Sequence, residues 1–221
     1  MHARVPCRCQ GTHADPPLRT HDIHPSASVS ELAAGVLAEI LRRVPHATLA
    51  LLEGRQGART NARLRAEARL LGVDPHRLLT ARPQSKDLHL LRSRDFHLFL
   101  DTWKVASHST AVDSLWAEVP VVAWSQVKMQ ARVCGALLQV LGLPELLARS
   151  AKDYSDLVVA LATSPRARAR VGRRLTAALR ESPLFDTQGW VLDAERMHRL
   201  MWEVHVAQGK SAHLVVAERP R

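Results

Sequence analysis

The stretch HSTAVDSLWAEVPVVAW, His108 to Trp124, decides how this chain is read. It follows FHLFLDT, Phe96 to Thr102, an apolar run that reads as a buried strand. After a short polar loop, a helical pattern opens at Ser109, and a second apolar run, Val119 to Trp124, returns to the sheet. A strand feeding a helix amino end is a natural anion site. The first-turn N–H groups have no partner within the helix, and the helix dipole is positive there. Ser109 and Thr110 offer hydroxyl donors, His108 a ring N–H, and Asp113, one turn in, an acceptor for a ribose hydroxyl. The same spacing also fits a Thr-x-x-Asp capping box, Thr110 to Asp113, that binds nothing. The two readings are compatible.

Working outward, the same alternation recurs. Glu31 to Arg43 has helical spacing of Ala34, Leu37, Ile40 and Leu41, with Ser30 as its N-cap. Ala47 to Glu53 is a strand, Asn61 to Leu71 a helix stopped by Gly72, Arg77 to Arg82 a strand and Lys86 to Arg92 a short helix. Met129 to Leu141 is helical again. Near-continuous apolar strands alternating with helices imply an α/β fold with a parallel sheet covered on both faces. Ligands in such sheets sit beyond the carboxyl ends of the strands, where the loops Ala81 to Asp87 and Thr102 to Ser109 lie. Three helices close the chain: Asp153 to Ala162, Pro165 to Arg180 and Thr187 to Ala207.

Lys86, His89 and Arg92 stand three residues apart and share a helix face near those strand ends. They suit a diphosphate or the ribose of a nucleotide, and equally an ordinary basic surface helix. Ser164 to Arg180 carries six arginines and no acid, with Arg166, Arg170 and Arg174 on one face. That is a nucleic-acid footprint or a solvated outer face. Aromatic residues are only 4 % of the chain, so base stacking has little to work with and the solvated face is preferred.

The formal charge of +10 invites anionic partners. Residues 1 to 28 lack hydrophobic period and are expected to form a disordered leader, residues 29 to 207 the folded domain, and residues 208 to 221 a flexible tail. No apolar run approaches the length of a membrane span. Cys7, Cys9 and Cys134 cannot pair completely, which fits a reducing, cytoplasmic or nuclear setting. CRCQGTH, Cys7 to His13, offers too few ligands for a zinc site. Neither a Gly-x-Gly-x-x-Gly fingerprint nor a P-loop occurs, and no nucleophile elbow is found.

Several ordered pieces resemble one known family. They are ILRRVPHATLALL (Ile40 to Leu52), LGVDPHRLL (Leu71 to Leu79), FLDTW (Phe99 to Trp103) and HSTAVDSLWAEVPVV (His108 to Val122). ARVCGALLQVLGLPELLA (Ala131 to Ala148), YSDLVVALAT (Tyr154 to Thr163) and SPLFDTQGWVLDAERMHRLMWE (Ser182 to Glu203) follow in the same order. Together they resemble the carboxyl-terminal half of the catalytic region of the O-linked N-acetylglucosamine transferases, SPINDLY-type proteins included. The resemblance implies a Rossmann-like domain of a two-domain GT-B glycosyltransferase that holds the nucleotide of UDP-N-acetylglucosamine. The sugar is then transferred to Ser or Thr of proteins. It implies Lys86, His89 and Arg92 around the uracil, ribose and phosphates, and His108, Ser109 and Thr110 on the diphosphate. Asp113 falls on the ribose, and Arg132 at a position that is structural or supports the contact residues from behind. It implies no catalytic residue within this half and no metal or other cofactor. The implied partners are the UDP-sugar, protein acceptors and the amino-terminal catalytic half; nucleic acid and membrane are not among them.

Two departures stand out. The family's Gln-x-x-Lys, whose Lys meets the donor phosphate, falls at Pro25 and Ser28. Glu118 replaces the glycine of Trp-x-Gly-x-Pro, which is expected to disturb the turn before the next strand. A non-catalytic interaction module that keeps the fold is the alternative reading.

Overall fold

The computed structural model describes residues 19–21, 31–53, 57–210 and 212–217. Among the described residues, five parallel strands form one sheet in the order β3-β2-β1-β4-β5. They are β1 (Arg19–His21), β2 (Thr48–Leu52), β3 (Leu78–Ala81), β4 (Leu98–Leu100) and β5 (Val121–Val122). The helices between them are α1 (Glu31–Arg43), α2 (Gly57–Leu70), α3 (Lys86–Ser93) and α4 (Ser109–Trp116). Beyond the sheet come α5 (Val133–Val140), α6 (Ala151–Thr163), α7 (Pro165–Glu181) and α8 (Thr187–Gln208).

Every strand and helix read from hydrophobic period is present, with ends moved by a few residues. The Met129 to Leu141 helix is divided. Met129–Ala131 forms a 3-10 turn, and Arg132 then starts α5. One strand overturns an expectation. β1 lies inside the stretch 1 to 28 read as a disordered leader, yet it pairs with β2 through Arg19↔Thr48 and with β4 through Thr20↔Leu98. Its sequence, Arg-Thr-His, contains no apolar residue, and apolar content is the signal by which a central parallel strand is recognised. The rest of that stretch, the Ser30 cap and Cys7 to His13 lie outside the described residues.

The core runs on both sides of the sheet. Leu98, Phe99, Val121 and Val122 are buried from the strands, Ile40 from α1, Leu115 from α4, Leu138 from α5 and Tyr154 from α6. Val171 and Leu175 of α7 pack onto this body. Helix α8 buries none of its residues, and Trp190 and Trp202 stand exposed on it. Gly209 ends it in the left-handed conformation. No helix among the described residues is long and apolar enough to cross a membrane.

Among the described residues, three helices end in the same paired hydrogen-bond motif, which needs a left-handed residue just past the helix. After α2, Gly72 donates to Arg69 and Val73 to Ala68; after α5, Gly142 donates to Gln139 and Leu143 to Leu138. After α4 the same bonds run from Glu118 to Leu115 and from Val119 to Ser114. Glu118 takes φ +64°, the only positive φ of a non-glycine among the described residues. The turn before β5 is therefore kept, at the steric cost of a Cβ in left-handed space.

Candidate functional site

The sheet order reverses direction between β1 and β4, and in open parallel sheets the crevice beyond the carboxyl ends at that point receives ligands. The β4–α4 loop opens there, and α3 packs beside α4.

Lys86, His89 and Arg92 share one face of α3, and the structure joins them to Asp113. Lys86 Nζ pairs with Asp113 Oδ1. His89 Nε2 stands 4.0 Å from Asp113 Oδ2, and both side chains are largely buried, 12 % and 15 % exposed. Arg92 Nη2 lies 3.3 Å from His89 Nδ1, while Arg92 Nη1 donates to the Arg82 carbonyl at 2.7 Å. Burial lowers the His89 pKa first and the neighbouring Arg92 cation second; Asp113 opposes them. The ring is therefore neutral near pH 7, accepts from Arg92 at Nδ1 and turns its Nε2–H toward Asp113.

The amino end of α4 carries no side-chain cap. His108 is the N-cap residue and is exposed, with Nε2 3.5 Å from the Gln130 carbonyl. Ser109 is exposed and Thr110 half-buried at the first turn. The capping-box reading fails, because Thr110 sits inside the helix and the Asp113 carboxylate is turned to α3. Seven residues singled out in the sequence thus occupy two adjoining helices, four of them in one contact array and three at the end of α4. Arg132 is exposed at the start of α5, and Pro25 and Ser28 lie outside the described residues.

Sequence reasoning missed what holds the β4–α4 loop. Asp101 is buried just past β4, and its Oδ1 accepts the Ser107 N–H at 2.7 Å. Cys134 Sγ donates to the Ser107 carbonyl at 2.9 Å, and the Tyr154 hydroxyl to the Asp101 carbonyl at 3.0 Å. Trp103 packs on Trp124 and Tyr154, with ring centroids 5.1 and 5.4 Å apart. Burial pushes the Asp101 carboxyl up to about 6, partly offset by the Ser107 N–H, and raises Tyr154 and Cys134 further. The only sequence signal is a carboxylate at the end of an apolar run.

Basic side chains beside an uncapped helix end favour anions in general; the carboxylate of Asp113 retains lone pairs for a hydroxyl after pairing with Lys86. Among the described residues no group of three or more His, Cys, Asp or Glu is arranged to hold a metal.

Residues 30–194 match the model of glycosyl transferase family 41. The chain is 34 % identical over 180 residues to the probable UDP-N-acetylglucosamine--peptide N-acetylglucosaminyltransferase SEC of Arabidopsis thaliana, covering 81 % of this chain and 18 % of that protein. It is 30 % identical over 165 residues to the UDP-N-acetylglucosamine--peptide N-acetylglucosaminyltransferase of Caenorhabditis elegans, covering 75 % and 14 %. Among solved structures, a mutant O-GlcNAc transferase of Thermobaculum terrenum superimposes with a TM-score of 0.81 at 27 % identity, over 89 % of this chain and 38 % of that one. The chain spans less than a fifth of the length of these two curated relatives. With the family model matched over residues 30–194 and the fold shared with the bacterial enzyme, the chain belongs to glycosyl transferase family 41.

Proposed function

We propose that this chain binds the UDP-N-acetylglucosamine donor for transfer of the sugar to Ser or Thr of intracellular proteins. One observation carries the reading: a Lys86, His89, Arg92 and Asp113 array stands beside the uncapped amino end of α4, at the reversal point of the sheet. The diphosphate lies on the first-turn N–H groups with His108, Ser109 and Thr110, and Asp113 meets the ribose. As the glycosidic bond breaks, negative charge gathers on the departing UDP. The dipole of the α4 end is fixed and Lys86 and Arg92 stand on the adjoining helix, so this reading gives the departing charge favourable surroundings at little cost in reorganisation. No metal is needed for this neutralisation. None of these residues is assigned as base toward the acceptor hydroxyl; the role we assign to them is capture of the donor.

Saturation-transfer NMR with UDP-N-acetylglucosamine, without metal, tests the proposal. Transfer to the uracil and ribose protons, competed by UDP and not by N-acetylglucosamine, is the expected result. Equal competition by free N-acetylglucosamine, or no transfer from the folded chain, refutes it.

A further inference from the structure

Two turns beyond the carboxyl ends of β4 and β5 carry apolar side chains into solvent, ringed by cations. In the first, Lys104 and Val105 are exposed. In the second, Val127 is 91 % and Met129 72 % exposed, flanked by exposed Lys128 and Arg132. Ordinary hydrogen bonds fix both turns. Thr102 Oγ1 donates to the Val105 carbonyl at 2.8 Å, and Ala131 N–H to the Lys128 carbonyl at 2.9 Å. One bond ties them together: Ala106 N–H donates to the Gln130 carbonyl at 2.9 Å. That same carbonyl is the one His108 approaches, so the pair of turns adjoins the amino end of α4. Neither 102–112 nor 119–144 contains an Asp or Glu.

A rigid display of Val and Met costs little ordering entropy when a partner covers it, and three cations with no ion pair among the described residues select the sign of that partner. Nucleic acid is the weaker match. Trp103 is buried and Trp124 half-buried, so neither indole beside the turns offers a stacking surface. We propose that Lys104, Val105, Val127, Lys128, Met129 and Arg132 form a docking rim for an extended polypeptide whose carboxylates flank apolar residues. Its place beside the α4 end makes that polypeptide the acceptor, and this last step rests on the donor-site reading. The other basic surface is distinct. On α7, Arg174 and Thr176 contact Glu145 and Glu118, which sit in the turns after α5 and α4 and not beyond the strand ends.

The test is fluorescence anisotropy with a labelled twelve-residue peptide containing Ser, Val, Leu and several Glu, and with its Glu-to-Gln counterpart. The whole chain is compared with K104E/K128E/R132E and with R166E/R170E/R173E, which reverses equal charge on α7. Circular dichroism verifies the fold of each. The acidic peptide should bind about tenfold tighter than its Gln counterpart, and only the rim variant should lose about tenfold, as expected for a few exposed ion pairs acting together. V127S/M129S should weaken both peptides. Equal loss in both charge reversals, equal binding of the two peptides, or tighter binding of a single-stranded oligonucleotide overturns the rim. UDP binding is measured separately. If UDP binds and the acidic peptide does not, the rim fails while the donor site stands. If the peptide binds and UDP does not, the rim stands as a peptide surface without the acceptor role.

Discussion

Lys86 at the first residue of α3 and Asp113 in the second turn of α4 form an ion pair that locks the two helices of the cleft together. Lys86 is 61 % exposed, so water screens the pair and its worth to stability is at most about 1 kcal/mol. Its consequence is orientation, since the Asp113 carboxylate is held where His89 also reaches it. Asp113→Asn should therefore leave urea stability within about 1 kcal/mol of the parent. UDP affinity should fall about tenfold, as for a lost charge-assisted hydrogen bond. Calorimetry and urea unfolding on the same preparation separate the two effects. A large stability loss with unchanged affinity contradicts this role.

The buried Asp101 makes stability depend on pH in an unusual direction. Its carboxyl is raised from 3.8 to about 6 by burial, so the folded chain holds a proton that the unfolded chain has released between those values. Folding stability from this group is thus present below pH 4 and lost as pH rises through 6, by about 3 kcal/mol. Asp101→Asn keeps an oxygen for the Ser107 N–H and does not titrate. Relative to the parent, the variant should gain about 2–3 kcal/mol between pH 4 and 7 in urea unfolding. A difference that stays constant with pH would count against the burial account.

Glu118 holds a position that Gly72 and Gly142 fill at the ends of the other two helices with this motif. Glu118→Gly removes the Cβ from left-handed space and also the bond that Glu118 Oε2 accepts from Thr176 at 3.1 Å, an exposed contact. The steric relief exceeds the loss. Stability should rise by about 1 kcal/mol, and the melting temperature by about 2–4 °C. Glu118→Ala retains the Cβ and should gain nothing; equal gains from both would rule out strain as the cause.

The fold was legible wherever apolar period was strong. Phe96 to Thr102 and Val119 to Trp124 announced β4 and β5 because both faces of a covered strand are apolar, and the helix pattern from Ser109 fixed the direction of the chain. β1 escaped because Arg19, Thr20 and His21 are polar and are placed by pairing to both neighbours, a relation that no local pattern encodes. In the site, the spacing of Lys86, His89 and Arg92 gave a shared helix face. Their junction with Asp113, 27 residues on from Lys86, is a tertiary fact. Asp101 is similar: its partners Cys134 and Tyr154 come from α5 and α6, so sequence shows the carboxylate and not its burial. Ser164 to Arg180 shows the reverse. Its arginine stripe is partly spent within the fold, with Arg168 donating to the Leu161 and Ala162 carbonyls and Arg174 paired with Glu145.

Isothermal titration of UDP into the whole chain, beside His108→Ala, tests the central claim most directly. His108 is exposed, so the variant keeps the parent's unfolding curve. The account predicts saturable one-to-one binding of UDP, weakened by about tenfold or more in the variant, since a donor at the phosphate is lost. Binding that is indifferent to His108, or no heat from a correctly folded parent, would contradict it.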